Sequence, residues 1–151
     1  MPKQAQLDET YLHMAFTWAS LSKATRKKVG CLIVKDGAII SDGYNGTPQG
    51  FNNVCEYNPN PSAFHELITK PEVLHAESNA ITKLAKSTQS SEGATMYITI
   101  SPCVECSKLI IQSAIHRVVY SDFYRNNEGI ALLKKANIRV EQKKLDISSL
   151  L

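Results

Sequence analysis

Nowhere in the 151 residues does an apolar run approach the roughly 20 residues needed to cross a bilayer. The first six residues, Met1 to Gln6, lack the apolar stretch of a secretory signal. Cysteine is scarce as well: four in all, two of them in a Cys-x-x-Cys pair. That usage suits metal chemistry in a reducing compartment better than a secreted disulfide framework, so a cytoplasmic protein is expected, in the host cytoplasm if the source is viral. Charge of one sign is also missing. A net charge of +3 fits an anionic small molecule and demands neither a nucleic-acid nor a membrane surface. No internal repeat or linker divides the chain, and its length suits one domain, 1–151, that buries roughly 70% of its unfolded surface.

What is present reads as alternating helices and strands. Apolar residues at helical spacing (Leu12, Ala15, Phe16, Ala19) predict a helix over 8–23 with Asp8 as its N-cap. Two β-branched runs, 29–35 and 38–42, flank Asp36-Gly37, a pair that favours a tight hairpin. Residues 43–71 are rich in Gly, Pro and Asn and predict a long ordered loop, a feature that is usually functional in a compact domain. Helices are expected over 73–86, 104–114 and 128–136, and strands over 94–100, 117–121 and 138–143. The order α-β-β-α-β-α-β-α-β predicts an α/β fold with a mixed five-stranded sheet and helices on both faces.

The decisive feature is His75-Ala76-Glu77 followed by Pro102-Cys103-Val104-Glu105-Cys106. His75, Cys103 and Cys106 supply three zinc ligands, and Glu77 is a carboxylate not needed as a fourth. A structural zinc is closed by four protein ligands, whereas a catalytic one keeps a position for water. Cys103 and Cys106 lie three apart and share a helical face. His75 and Cys103 are expected in the first turns of their helices, where the partial positive charge favours thiolate. Pro102 suits a helix start because its missing N–H costs nothing there. The H-x-E…P-C-x-x-C pattern is the signature of zinc nucleobase deaminases. In that chemistry Glu77 takes a proton from water, delivers it to N3 of a cytosine ring, and returns one to the ammonia leaving C4. A purely structural zinc, with Glu77 a solvated helix carboxylate, is the bland alternative.

With these residues in hand, the chain resembles the deoxycytidylate (dCMP) deaminases of bacterial and bacteriophage type, from about residue 7 to 143. Four elements carry the resemblance: Arg26-Lys27-Lys28-Val29-Gly30, the run Gly43-Tyr44-Asn45-Gly46-Thr47-Pro48-Gln49-Gly50, His75 to Ala80, and Ser101 to Cys106. The second, with a long insertion before the HAE triplet, sets the dCMP branch apart from free-cytidine and tRNA-adenosine deaminases. The resemblance implies a cytidine-deaminase-like three-layer α/β/α fold and hydrolysis of dCMP to dUMP and ammonia, feeding thymidylate synthesis. It further implies substrate contacts from Asn45, Ser101, Tyr124, Arg125 and Asn79. Tyr124 reads equally as a core aromatic at a strand end, and Asn79 as a polar helix position.

Family regulation implies activation by dCTP with Mg²⁺, inhibition by dTTP, and a homo-oligomer, typically a hexamer. The implied effector residues are Arg26, Lys27, Lys28, Gly43, Tyr44, Asn45 and Gly46, although the three cations also read as a plain solvated run. Some phage members carry a second, structural zinc. Cys55 and His65 match two of its ligands, but Ala24 and Thr69 stand at the other two positions, which argues against a complete site. Cys31, inside a predicted strand, reads as a buried apolar residue. Two other functions compete: deamination within RNA or single-stranded DNA, which needs an extended basic aromatic surface, and an inactive zinc scaffold, which has no use for Glu77.

Overall fold

A computed structural model of the chain describes residues 1–63 and 66–146. Five strands form one sheet: β1 (Gly30–Lys35), β2 (Ala38–Tyr44), β5 (Thr95–Ile100), β6 (Arg117–Asp122) and β7 (Arg139–Gln142), in the order β2-β1-β5-β6-β7. β1 runs antiparallel to both β2 and β5, while β5, β6 and β7 are mutually parallel. Helices α1 (Gln4–Ala19), α2 (Ala76–Leu84), α3 (Val104–Gln112) and α4 (Glu128–Lys135) complete the frame. The mixed five-stranded sheet and the element order are those expected from the sequence. Asp36 and Gly37 both adopt positive φ, 51° and 76°, which is the turn their residue types favour between β1 and β2.

Strand alternation sorts the core into two layers. Leu32, Val34, Tyr97 and Val119 face α1, which contributes Leu12 and Ala15. Cys31, Ile33, Met96, Ile98, Val118 and Tyr120 face the other way, onto Ala76, Ala80 and Leu84 of α2, Ile110 of α3, and Ile130 and Leu133 of α4. One helix therefore covers one face and three cover the other. Cys31 is fully buried, as the apolar reading expected.

Two local expectations are corrected. Helix α1 starts four residues before Asp8, so Asp8 is no cap. It lies inside the helix, buried, with Arg117 of β6 donating to both its oxygens at 2.9 and 2.6 Å. A distant cation outweighs a local backbone bond there. The long loop also holds two short antiparallel strands, β3 (Glu56–Tyr57) and β4 (Ile68–Thr69), which fasten it to itself. No helix among the described residues is long and apolar enough to cross a membrane.

Candidate active site and metal centre

The parallel strands β5 and β6 end side by side, and an open α/β sheet binds ligands beyond such carboxyl ends. Ser101 follows β5 and ties the two ends together. Its N–H donates to Asp122 O at 2.8 Å, and its hydroxyl accepts from the Tyr124 N–H at 2.6 Å. Two residues later Cys103 is the N-cap of α3, its sulfur accepting from the Cys106 N–H at 3.5 Å. His75 is likewise the N-cap of α2. Each ligand thus sits one position before the first helical turn in which it was expected.

The two helix starts point their donors together. His75 Nδ1 lies 3.2 Å from Cys106 Sγ and 3.6 Å from Cys103 Sγ, and all three donor atoms fall within 4.8 Å of one another. Zinc–nitrogen and zinc–sulfur bonds of about 2.0 and 2.3 Å at tetrahedral angles separate their donors by roughly 3.5 Å. One imidazole and two sulfurs at such spacing fit Zn²⁺, with a fourth position for water. Among the described residues no other group of three or more candidate ligands gathers in this way. Ala24, Cys55 and Thr69 all line the adjoining cavity, and His65 lies outside the described residues.

The electrostatics show a site short of positive charge. Hydrogen bonds from Cys106 and His75 pull the Cys103 thiol down to about 4, against the cost of burial. Cys106 is driven the opposite way by its bond to Cys103 and by burial, because two adjacent thiolates repel. His75 is raised by its bond to Cys103. A bound dication reverses this competition and holds both sulfurs as thiolates. Glu77, in the first turn of α2, is 4% exposed, and burial pushes its carboxyl up to about 7 although its own backbone N–H and His75 act to lower it.

His75, Glu77 and Cys103 open into a cavity of about 710 Å³. Asn45, Ser101, Tyr124 and Arg125 line it, as do Arg26 and Lys27 of the cationic loop, and the three cations are exposed. Arg125 stacks its guanidinium 5.5 Å from the centre of the Tyr124 ring. Asn45 is committed to the protein as well. Its Oδ1 accepts from the Val29 N–H at 2.9 Å and its Nδ2 donates to Lys27 O at 2.8 Å, welding the 27–29 segment to the end of β2. Asn79 does not line the cavity: its amide donates to Tyr44 O at 2.8 Å. Lys28, Gly43, Tyr44 and Gly46 also lie off the cavity wall.

Sequence reasoning missed Glu56. Its buried Oε2 accepts from the Thr25 and Arg26 N–H groups at 2.9 and 3.0 Å, and it lines the same cavity. An acidic residue after Cys55 in a loop rich in Gly, Pro and Asn was the available signal, but its partners lie 30 and 31 positions away. Phe123 was missed too. It lines the cavity beside Tyr124 and is 52% exposed.

Residues 5–122 match the model of the cytidine and deoxycytidylate deaminase zinc-binding region. The chain belongs to this deaminase family. It is 36% identical to the deoxycytidylate deaminase of Enterobacteria phage T4, over 87% of this chain and 86% of that one. Against the human deoxycytidylate deaminase it is 38% identical, over 80% of this chain and 67% of the other. The dCMP deaminase of cyanophage S-TIM5, solved in complex with dCMP and dUMP, superposes with a TM-score of 0.84 and is 38% identical, covering 95% of this chain and all of that one. The resemblance read from four motifs therefore extends over nearly the whole chain, and the three-layer deaminase fold is the one observed.

Proposed function

We propose that this deaminase converts dCMP and water to dUMP and ammonia. The observation that carries the reading is Glu77, buried beside His75, Cys103 and Cys106, in a cavity lined by three exposed cations, Arg26, Lys27 and Arg125, against one exposed carboxylate, Glu66. Zinc, when bound, lowers the pKa of a water molecule to about 7 and so supplies the nucleophile at neutral pH. Glu77 accepts the proton released by that water and transfers it to N3 of the cytosine ring, which makes C4 electrophilic. The hydroxide left by the water adds to C4, Glu77 takes its remaining proton and hands it to the amino group, and ammonia leaves as the C4–N bond breaks and the C4 carbonyl forms. A carboxyl near 7 both takes and gives protons around neutrality, which is what a shuttle requires. Ser101 and Tyr124 hold the base and nucleoside, Asn45 fixes the loop against the sugar, and the cations take the 5′-phosphate. Asn79 serves through β2, whose end it holds.

The finer features of the reading come from the resemblance. They are activation by Mg·dCTP through Arg26–Lys28 and the neighbouring Gly43–Gly46 segment, inhibition by dTTP, a hexamer, and a cytoplasmic place in dTTP supply. Asn45 bridging the two segments supports the first, because an effector held by one displaces the other. Phe51 and Val54, 56% and 57% exposed, support self-association.

The test is ammonia release by the zinc-loaded protein from dCMP, deoxycytidine and a cytosine-containing oligonucleotide, each with and without Mg·dCTP. Fast release from dCMP alone, rising with dCTP, is expected. Equal rates on deoxycytidine would remove the phosphate from recognition, and turnover of the oligonucleotide alone would replace the substrate.

A further inference from the structure

His75 and Cys103 are N-caps whose carbonyls accept the first bonds of their helices, from the Asn79 N–H at 3.0 Å and the Ser107 N–H at 2.9 Å. Their positions are therefore set by where those helix starts are seated and by what packs against them. At each one the packing element brings a glycine. A Cβ built on Gly43 of β2 would lie 2.4 Å from Ala76 O and 2.8 Å from Ala80 N, against the first turn of α2 that His75 caps. A Cβ built on Gly129, in the first turn of α4, would lie 2.1 Å from Pro102 O and 2.9 Å from the carbonyl carbon of Cys103. The nearest obstacles are backbone atoms, which no rotamer change relieves; the Ser107 hydroxyl, 2.9 Å from the Cβ built on Gly129, is the one side chain among them. Neither glycine has positive φ, so conformational freedom does not explain them. Neither lines the cavity.

We infer that Gly43 and Gly129 are positioning residues for the metal site: by letting β2 touch the first turn of α2 and α4 touch the Pro102–Cys103 peptide, they fix His75 against Cys103 and Cys106. The inference rests on the zinc reading of the site but not on the identity of the substrate. An added methyl must displace one ligand peptide by on the order of 1 Å, about twice the tolerance of a preorganised site. Gly30 supplies the control. Its built Cβ would lie 2.0 Å from Ala15 O, an equally tight approach, but on the α1 face of the sheet.

The experiment measures zinc affinity of the folded protein by chelator competition, with the visible spectrum of the Co²⁺ form as a second readout. Gly129→Ala and Gly43→Ala are expected to weaken zinc at least about tenfold, as changes around a metal's ligands do, and to alter the Co²⁺ bands. Gly30→Ala is expected to lower the melting temperature while zinc affinity stays within about threefold of the wild type. Where an alanine variant does not fold, Leu133→Ala and Ser41→Ala loosen the seating of α4 on the core and of β2 on α2 without a clash. Leu133 is buried in α4, and the Ser41 hydroxyl donates to Ala80 O at 2.7 Å. Wild-type affinity in the variants, or an equal loss in Gly30→Ala, would overturn the inference. A wild-type protein that binds no zinc would instead sink the metal reading itself.

Discussion

The two faces of the sheet treat charge in opposite ways. On the α1 face, Arg117 meets Asp8 through both oxygens, Glu141 through two more bonds at 3.1 and 2.9 Å, and the Tyr97 hydroxyl, which itself donates to Asp8 at 2.6 Å. Each of these three charges has a partner supplied by the fold. On the α2–α3 face, one cysteine is pulled toward thiolate while its neighbour is pushed away from it, and the Glu77 carboxyl is buried beside them, pushed up to about 7 because the pull of His75 does not offset its burial. A completed network holds elements together; an uncompleted one is what the proposed dication and substrate would complete. The difference separates a structural cluster from a functional one although both are buried and polar.

The largest expected effect breaks the functional face alone. Glu77→Gln keeps the donor set and loses about 10²–10⁴-fold in turnover of dCMP, with zinc content unchanged. Near-normal turnover would remove Glu77 from proton transfer. Arg117→Ala attacks the other face: it strands Asp8 in the core and lowers unfolding free energy by about 3–5 kcal/mol in denaturant titration. Zinc affinity of the folded fraction is expected to hold, and its loss would mean that the two faces are coupled.

Acid sharpens the contrast further. Burial alone would raise the Asp8 carboxyl, but hydrogen bonds from Arg117, Tyr97 and Gln4 outweigh it and hold the group at about 2, below its ordinary 3.8. A depressed acid contributes stability above its unfolded pKa and loses it as pH falls through the folded one. Wild type should therefore lose about 2 kcal/mol more than Asp8→Asn between pH 4 and pH 2, measured at matched zinc. Parallel acid profiles would show that Asp8 is not the group responsible. The smallest effect concerns the cavity mouth. Arg26→Ala is expected to reduce the dCTP response more than basal turnover, and an unchanged response would return the 26–28 run to solvated charge.

Local rules made much of this protein legible. The separation of Cys103 and Cys106 by three residues, the placing of Glu77 two residues after His75, the Asp36-Gly37 turn and the periodicity of each element all depend on neighbours within a few positions. The helix period and turn sterics read such neighbours directly. Only tertiary structure decided which long-range partners meet. Asp8 turned from a cap into half of an ion pair with a residue 109 positions away, and Asn45 spent its amide on the backbone of the 27–29 segment. Glu56 came to hold the Thr25–Arg26 amides, and Asn79 came to face β2 rather than the cavity. Those outcomes depend on how strands and helices stack. A single side chain carries no record of which distant donor the stacking will bring to it.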